Sequence, residues 1–380
     1  MRTRATRLGA GILTVWFGGQ WLWASSDVWD SWNPKAAAVY LNRRENWWRN
    51  WPPAARDHGT FCVSCHTAVP YALARPALRA AVGEVQPTEE ERKLLDDVVR
   101  RVRLGNEAGP FYTESAGAGK ALQSRGTESV LNALILAAAD APSGRMSEPA
   151  QAAFAAMWAL QDQTTAERGS WPWLDFGNEP FEAADSRFYG ASLAALAVGM
   201  APAAYRATPA LQNQLQRLRE YLGREYSRQP LIHQVVALWA AQMWPGLLSA
   251  AQRKAIVAAV ISRQQSDGGW SLAALGWTWR GASLRLLVNL WIRSDDSPVA
   301  GKSDGYATGL IVYVLGQSGL ARGDRHWRRG WQWLLHHQNP EDGTWPGYSL
   351  VNRRDPRSGT GRFMTDAATA YAVLALTARR

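Results

Sequence analysis

The sequence predicts an all-α chain in which six outer and six inner helices alternate around a closed double ring. Two observations predict it. Amphipathic segments with charged outer faces alternate with segments that are small and apolar nearly all round, and helices apolar on every side belong inside a structure. A Gln–Gly–Trp pattern also recurs where outer helices end, and a recurring pattern signals a repeated structural unit. The 380 residues are 47% hydrophobic and 19% charged, enough for a large core and unlike a disordered chain.

The helices come in pairs. Outer helix 35–50 precedes inner helix 66–82, and 89–104 precedes 127–139. Next come 148–163 with 186–199, and 209–226 with 229–243. The last outer segments are 249–265 and 325–338, and the last inner segments are 303–318 and 363–377. The inner set is most apolar at Ser129–Ala139, Tyr189–Val198, Thr308–Leu315 and Ala367–Leu376. Thr88 and Glu91 have the spacing of a capping box and mark the start of 89–104. Residues 272–293 read either as an extra helix or as a long excursion between ring elements.

The recurring pattern is fullest at Arg329-Gly330-x-x-Trp333-Leu334-x-x-x-Gln338, which runs into Gly343-Thr344-Trp345. Gln265 to Gly269-Trp270 repeats the ending, and Gln163 to Gly169-Ser170-Trp171 repeats it with a longer gap. Arg217-x-x-x-Tyr221-Leu222 with Tyr226, and Tyr40-Leu41 with Glu45, are degenerate copies. The physical expectation is a strap. The glutamine amide bonds free backbone groups at a helix end, the glycine allows the turn, and the tryptophan covers it. These runs resemble the QW motif of squalene–hopene cyclases, and the resemblance spans about residues 35–377. It implies an (α/α)6 toroid of the kind shared by terpenoid cyclases and protein prenyltransferases, as a single barrel around a cavity for a hydrophobic or isoprenoid ligand.

The cyclase chemistry itself is not carried over. No Asp-x-Asp-Asp run occurs, and Asp295-Asp296 is the nearest approach. The chain has length for one barrel, whereas a full cyclase carries a second. The Asp/Cys/His zinc set of the prenyltransferases would need a cysteine separate from the adjacent pair found here. Inner helices do begin with acids, Glu128, Asp185, Asp304 and Asp366, followed by Phe188, Tyr189, Tyr306, Tyr313 and Tyr371. Asp185, Asp304 and Asp366 are therefore the acid candidates of a divergent isomerase or lyase. Carboxylates at helix N-termini also serve as caps that complement the dipole.

The two cysteines lie in Cys62-Val63-Ser64-Cys65-His66. Cys-x-x-Cys-His is the attachment sequence of c-type haem: two thiols take the two vinyl groups of one porphyrin, and the next histidine ligates the iron. Met364 and His58 are the candidates for a second axial ligand, Met364 because ring closure brings the start of 363–377 beside the loop 58–67. A Cys62–Cys65 disulfide in a non-catalytic ligand-binding toroid stays open as an alternative. A thioredoxin-like pair lacks its βαβ context, and zinc lacks a fourth ligand.

Haem c attachment requires export, and the N-terminus has the grammar of a secretory signal. Arg2, Arg4 and Arg7 precede an apolar run at 8–23, followed by small residues 24–26. Residues 1–26 thus read as a signal peptide or a retained anchor, 27–380 as the toroid, and the destination as the periplasm. Without 1–26 the charge falls from +10 to +7, with 39 bases against 32 acids. That surplus suits a redox partner protein or an anionic membrane surface. Nucleic acid is not expected, because the bases form no concentrated block.

Overall fold

In the computed structural model, residues 32–276, 302–318, 323–352 and 354–378 are described. They fall within one compact unit, Trp32–Arg380. The expected leader 1–26 lies outside the described residues. So does most of the expected excursion 272–293, of which Leu272–Leu275 forms one helical turn.

Every regular element among the described residues is helical, and the bridges Ala55–Phe61 and Asn178–Glu182 are isolated ones. The outer set is α1 (Pro34–Asn50), α3 (Glu89–Leu104), α5 (Glu148–Ala159), α7 (Gln212–Glu225), α9 (Ala250–Ile261) and α11 (Arg325–His336). The inner set is α2 (Ala68–Val82), α4 (Lys120–Asp140), α6 (Arg187–Met200), α8 (Leu231–Met243), α10 (Gly305–Gln317) and α12 (Phe363–Thr377). Helix α2 packs on α4, α4 on α6, α6 on α8, α8 on α10, α10 on α12, and α12 back on α2. Helices α1 and α3 pack on the inner helices that follow them, α2 and α4. Helices α5, α7 and α9 pack instead on the inner helices that precede them, α4, α6 and α8, while α11 packs both on α10 before it and on α12 after it. No helix among the described residues is long and apolar enough to cross a membrane.

Local chemistry explains the starts. Asn33 caps α1 through its side chain, with Pro34 in the first turn. Thr88 and Glu91 form the reciprocal capping box, and Ser249 with Gln252 forms another at α9. Small residues set the inner spacing. A Cβ on Gly309 of α10 would lie 2.5 Å from the Ala372 backbone nitrogen of α12, so the two helices meet almost backbone to backbone.

Helix α4 begins at Lys120, seven residues before the expected 127. Residues 120–126 look polar, but their polar groups are used locally. Ser124 Oγ accepts from the Tyr112 amide, and Arg125 donates to the Gly105 and Ala108 carbonyls.

The straps form as the Gln–Gly–Trp pattern suggests, with a shifted register. Gln338 Nε2 donates to the Gly343 and Asn33 carbonyls at 3.0 Å each, tying the end of α11 to the start of α1. In the other two straps the bonding residues are Gln264 and Gln161, not Gln265 and Gln163. Gln264 Nε2 donates to the Gly268 and His326 carbonyls, and Gln161 Nε2 to the Gly169 and Gln214 carbonyls. The register shifts because α9 and α5 unwind at Ile261 and Ala159, earlier than the apolar period suggests. Gly343 has φ 76°, and a Cβ there would meet the Ala36 backbone of α1 at 2.5 Å. Each tryptophan then donates its indole N–H back into the helix it follows: Trp345 to Leu334, Trp270 to Val260 and Trp171 to Met157.

The register gives a first expected result. Gln264→Ala removes two bonds to backbone carbonyls and should lower stability by about 1–2 kcal/mol in urea denaturation. Gln265→Ala should stay within about 0.5 kcal/mol of the parent. The reverse order would restore the adjacent glutamine as the strap residue.

Candidate functional site

The Cys-x-x-Cys-His segment takes the place of a strap between α1 and α2, and it is pinned on both sides. The Cys62 amide donates to Ala54 O at 2.8 Å, while the Trp48 indole of α1 donates to Cys62 O at 2.6 Å. From α3, Asp97 Oδ1 accepts the Phe61 amide and Arg101 donates to Thr60 Oγ1. Ser64 Oγ accepts the Thr67 and Ala68 amides, which caps the entry to α2.

Cys62 is buried and Cys65 half-buried, and the two thiols are not joined. Burial pushes the Cys62 thiol up to about 12 and the Cys65 thiol well above its ordinary range. Cys65 Sγ lies 3.5 Å from Glu182 Oε1 and donates to it.

His66 is held by a relay. Its Nδ1 lies 3.0 Å from Thr67 Oγ1, and Thr67 donates its hydroxyl proton to Asp366 Oδ2 at 2.8 Å. Asp366 accepts from Arg44 on both oxygens, at 2.7 and 2.9 Å, and from the Tyr40 hydroxyl at 2.7 Å. With its one proton given to Asp366, the Thr67 hydroxyl can only accept from the ring, so Nδ1 carries the ring proton and Nε2 the lone pair. Burial raises the Asp366 carboxyl, and the Arg44, Tyr40 and Thr67 bonds oppose that rise. The His66 ring stacks on Phe363 with centroids 3.8 Å apart and meets Trp48 edge-on at 5.2 Å. Burial first, then Arg354 and Arg44, lowers the imidazole to about 3, so it is neutral at physiological pH.

Cys65 and His66 open onto a cavity of about 470 Å³ with an aromatic wall that includes Trp51, Tyr112, Phe176 and Phe181. Met364 lines the same cavity. His58 does not. It sits on an exposed turn at φ 53°, with Nε2 3.2 Å from Glu107 O.

The acid candidates do not converge on this cavity. Asp185 is exposed, just ahead of α6. Asp304 caps α10, accepting from the Ala307 and Leu272 amides, and burial lifts its carboxyl to about 7. Asp366 is committed to Arg44, and Glu128 to Arg101 at 2.5 Å. The aromatic candidates divide. Tyr306 meets Tyr371 at 4.9 Å, and Phe181 lies 5.2 Å from both Tyr189 and Tyr306. Phe188 packs instead on Tyr221 of α7, and Tyr313 on Trp239 of α8. Glu182, Arg354, Thr67 and Phe363 complete the site and carry no motif of their own.

Glu45 occupies the glutamine place of the first degenerate strap copy. It is fully buried, and neither oxygen has a hydrogen-bond partner among the described residues. Burial raises its carboxyl to about 8; Arg49 opposes this, and Asp97, Asp366 and Glu90 add to it. The folded pKa lies above the unfolded one, so the favourable protonated form is lost as pH rises from about 4.3 through 8. Glu45→Gln should therefore match the parent near pH 4 and exceed it by about 5 kcal/mol at pH 9. Thermal unfolding across that range reads the difference, and a constant gap at all pH values would contradict it.

No protein-family model matches the chain, and no curated protein matches it. Among solved structures, the chain is similar to one titled as a glycosidase. The match covers 89% of this chain and 96% of that one, at 14% identity and a TM-score of 0.44.

Proposed function

We propose that the chain is an exported (α/α)6 toroid of the terpenoid-cyclase kind that carries one c-type haem on Cys62 and Cys65, with His66 on the iron. The closed circuit of inner helices, with outer helices packed behind it, supports the toroid. One observation carries the haem reading: at the motif, the histidine's Nδ1 proton is fixed by Thr67, Asp366 and Arg44, which leaves Nε2 for a metal. Carboxylates behind metal-ligating histidines orient the ring in this way.

When bound, the haem supplies one-electron redox chemistry and an iron coordination position. The chain's own residues would hold it, with Cys65 and His66 at the cavity and Cys62 buried just beside them. Phe363 and Trp48 fix the plane of the His66 ring. Burial keeps that ring neutral and able to ligate. Met364 lines the same cavity and would be the second ligand, within a wall that is largely aromatic. Electron exchange with a partner protein, or ligand sensing at the iron, is the role that follows, and export follows from where haem c is attached. His66→Ala in the haem-loaded protein tests the ligation. The covalent haem should remain while its visible bands shift to those of a high-spin iron. An unchanged spectrum would remove His66 from the iron.

A further inference from the structure

We propose that Arg354 binds a carboxylate at the mouth of this cavity. It borders two adjoining cavities, of about 470 and 350 Å³, that share Asn352, Phe363 and Met364. The residue is open to solvent on its outer side. Among the described residues it has no hydrogen bond and no ion pair. Its one recorded contact places Cζ 5.2 Å over the Phe363 ring. An arginine offers five N–H donors in a rigid fork, and none of the described residues takes any of them here. The aromatic face beneath it holds the guanidinium plane at the rim.

The polar groups around it are already engaged. Asn352 Nδ2 donates to Asn178 Oδ1 at 2.9 Å, and Asn178 Nδ2 donates to Glu182 Oε2 at 3.1 Å. The other Glu182 oxygen takes the Cys65 thiol. Glu182 therefore acts on Arg354 only through its field, without an ion pair. Asp355, the next residue, binds Arg357. No described carboxylate occupies the Arg354 fork.

The chemistry of the walls selects the anion. Both oxygens of a planar carboxylate match the guanidinium fork. The body attached to it would lie among Trp51, Phe176 and Phe181, which favours an apolar or aromatic one. A phosphate dianion would lose more hydration in the same aromatic space. Such a carboxylate has two sources: a propionate of the haem, which rests on the reading above, or a free aromatic or aliphatic acid.

Calorimetric titration with benzoate, and with benzamide as its neutral counterpart, tests this in the full chain. The forms compared are the haem-loaded protein, the haem-free Cys62→Ala/Cys65→Ala protein, and Arg354→Gln of each, with Arg357→Gln as an exposed control. If the ligand is a free acid, the haem-loaded protein binds benzoate about tenfold more tightly than benzamide, and Arg354→Gln abolishes the preference. If the source is a propionate, the haem-loaded protein does not take benzoate, and Arg354→Gln shifts the pH at which its reduction potential bends. Absence of both the preference and the shift would overturn the assignment. A protein that matures without haem ends the haem reading alone, and the haem-free titration still decides the role of Arg354.

Discussion

Asp366→Ala should lower the stability of the protein by about 3–5 kcal/mol in urea denaturation. The carboxylate is 1% exposed and joins three parts of the ring: Tyr40 and Arg44 from α1, Thr67 from the turn into α2, and its own helix α12. Its removal strands the buried Arg44 guanidinium, and an uncompensated buried charge dominates the loss. Pairing Asp366→Asn with Arg44→Met should recover most of it, because that pair of changes leaves no charge unpaired. A single-variant loss below about 1 kcal/mol would show that the cluster does not tie the ring's first and last elements together.

Trp270→Ala should cost a comparable amount, about 3–5 kcal/mol. The indole is fully buried, and its ring fills the space left by Gly330 of α11, where a Cβ would lie 2.5 Å from Trp270 Cζ3. Its N–H holds Val260 O at 2.8 Å, while its backbone meets Thr308 and Asp304 at the start of α10. Trp270→Phe keeps most of the packing and loses the N–H bond, so it should cost about 1–2 kcal/mol. Equal losses for the two variants would place the effect in the hydrogen bond and not in the packed ring.

These two clusters show what was legible in the sequence. Burial is periodic, so the outer helices could be read from apolar spacing, and the inner ones from the lack of a polar face. Which inner helix each outer one covers was not legible, because α5 and α7 pack backward onto α4 and α6 and not onto the helices that follow them. The straps were legible as a pattern but not in register. Spacing to the tryptophan does not reveal where a helix unwinds, and that point decides between Gln264 and Gln265, or Gln161 and Gln163. The first turns of α4 were hidden because their polar groups bond locally, as Ser124 does with Tyr112.

At the site, Cys62, Cys65 and His66 were legible because the chemistry fixes their spacing. Met364 was reached through ring closure, which brings α12 beside α2. His58 lies on the exposed turn at 57–59, with Nε2 beside Glu107 O and away from the cavity that Met364 lines. Thr67, Phe363 and Glu182 act through partners far away in the chain, and Arg354 has no hydrogen-bonded partner among the described residues. Thr67 meets Asp366 across 299 positions and Cys65 meets Glu182 across 117, so no local pattern announces them. The acids at the inner helix starts looked alike in sequence. They differ in the fold because Asp366 meets an arginine, Asp304 meets backbone amides and Asp185 is exposed.

The central claim is most directly tested by the visible spectrum of the denatured protein, purified after export from a host with the c-haem maturation machinery. Haem absorbance that stays with the unfolded chain, and disappears in Cys62→Ala/Cys65→Ala, is the predicted result. A colourless chain whose mass corresponds to a Cys62–Cys65 disulfide would contradict it.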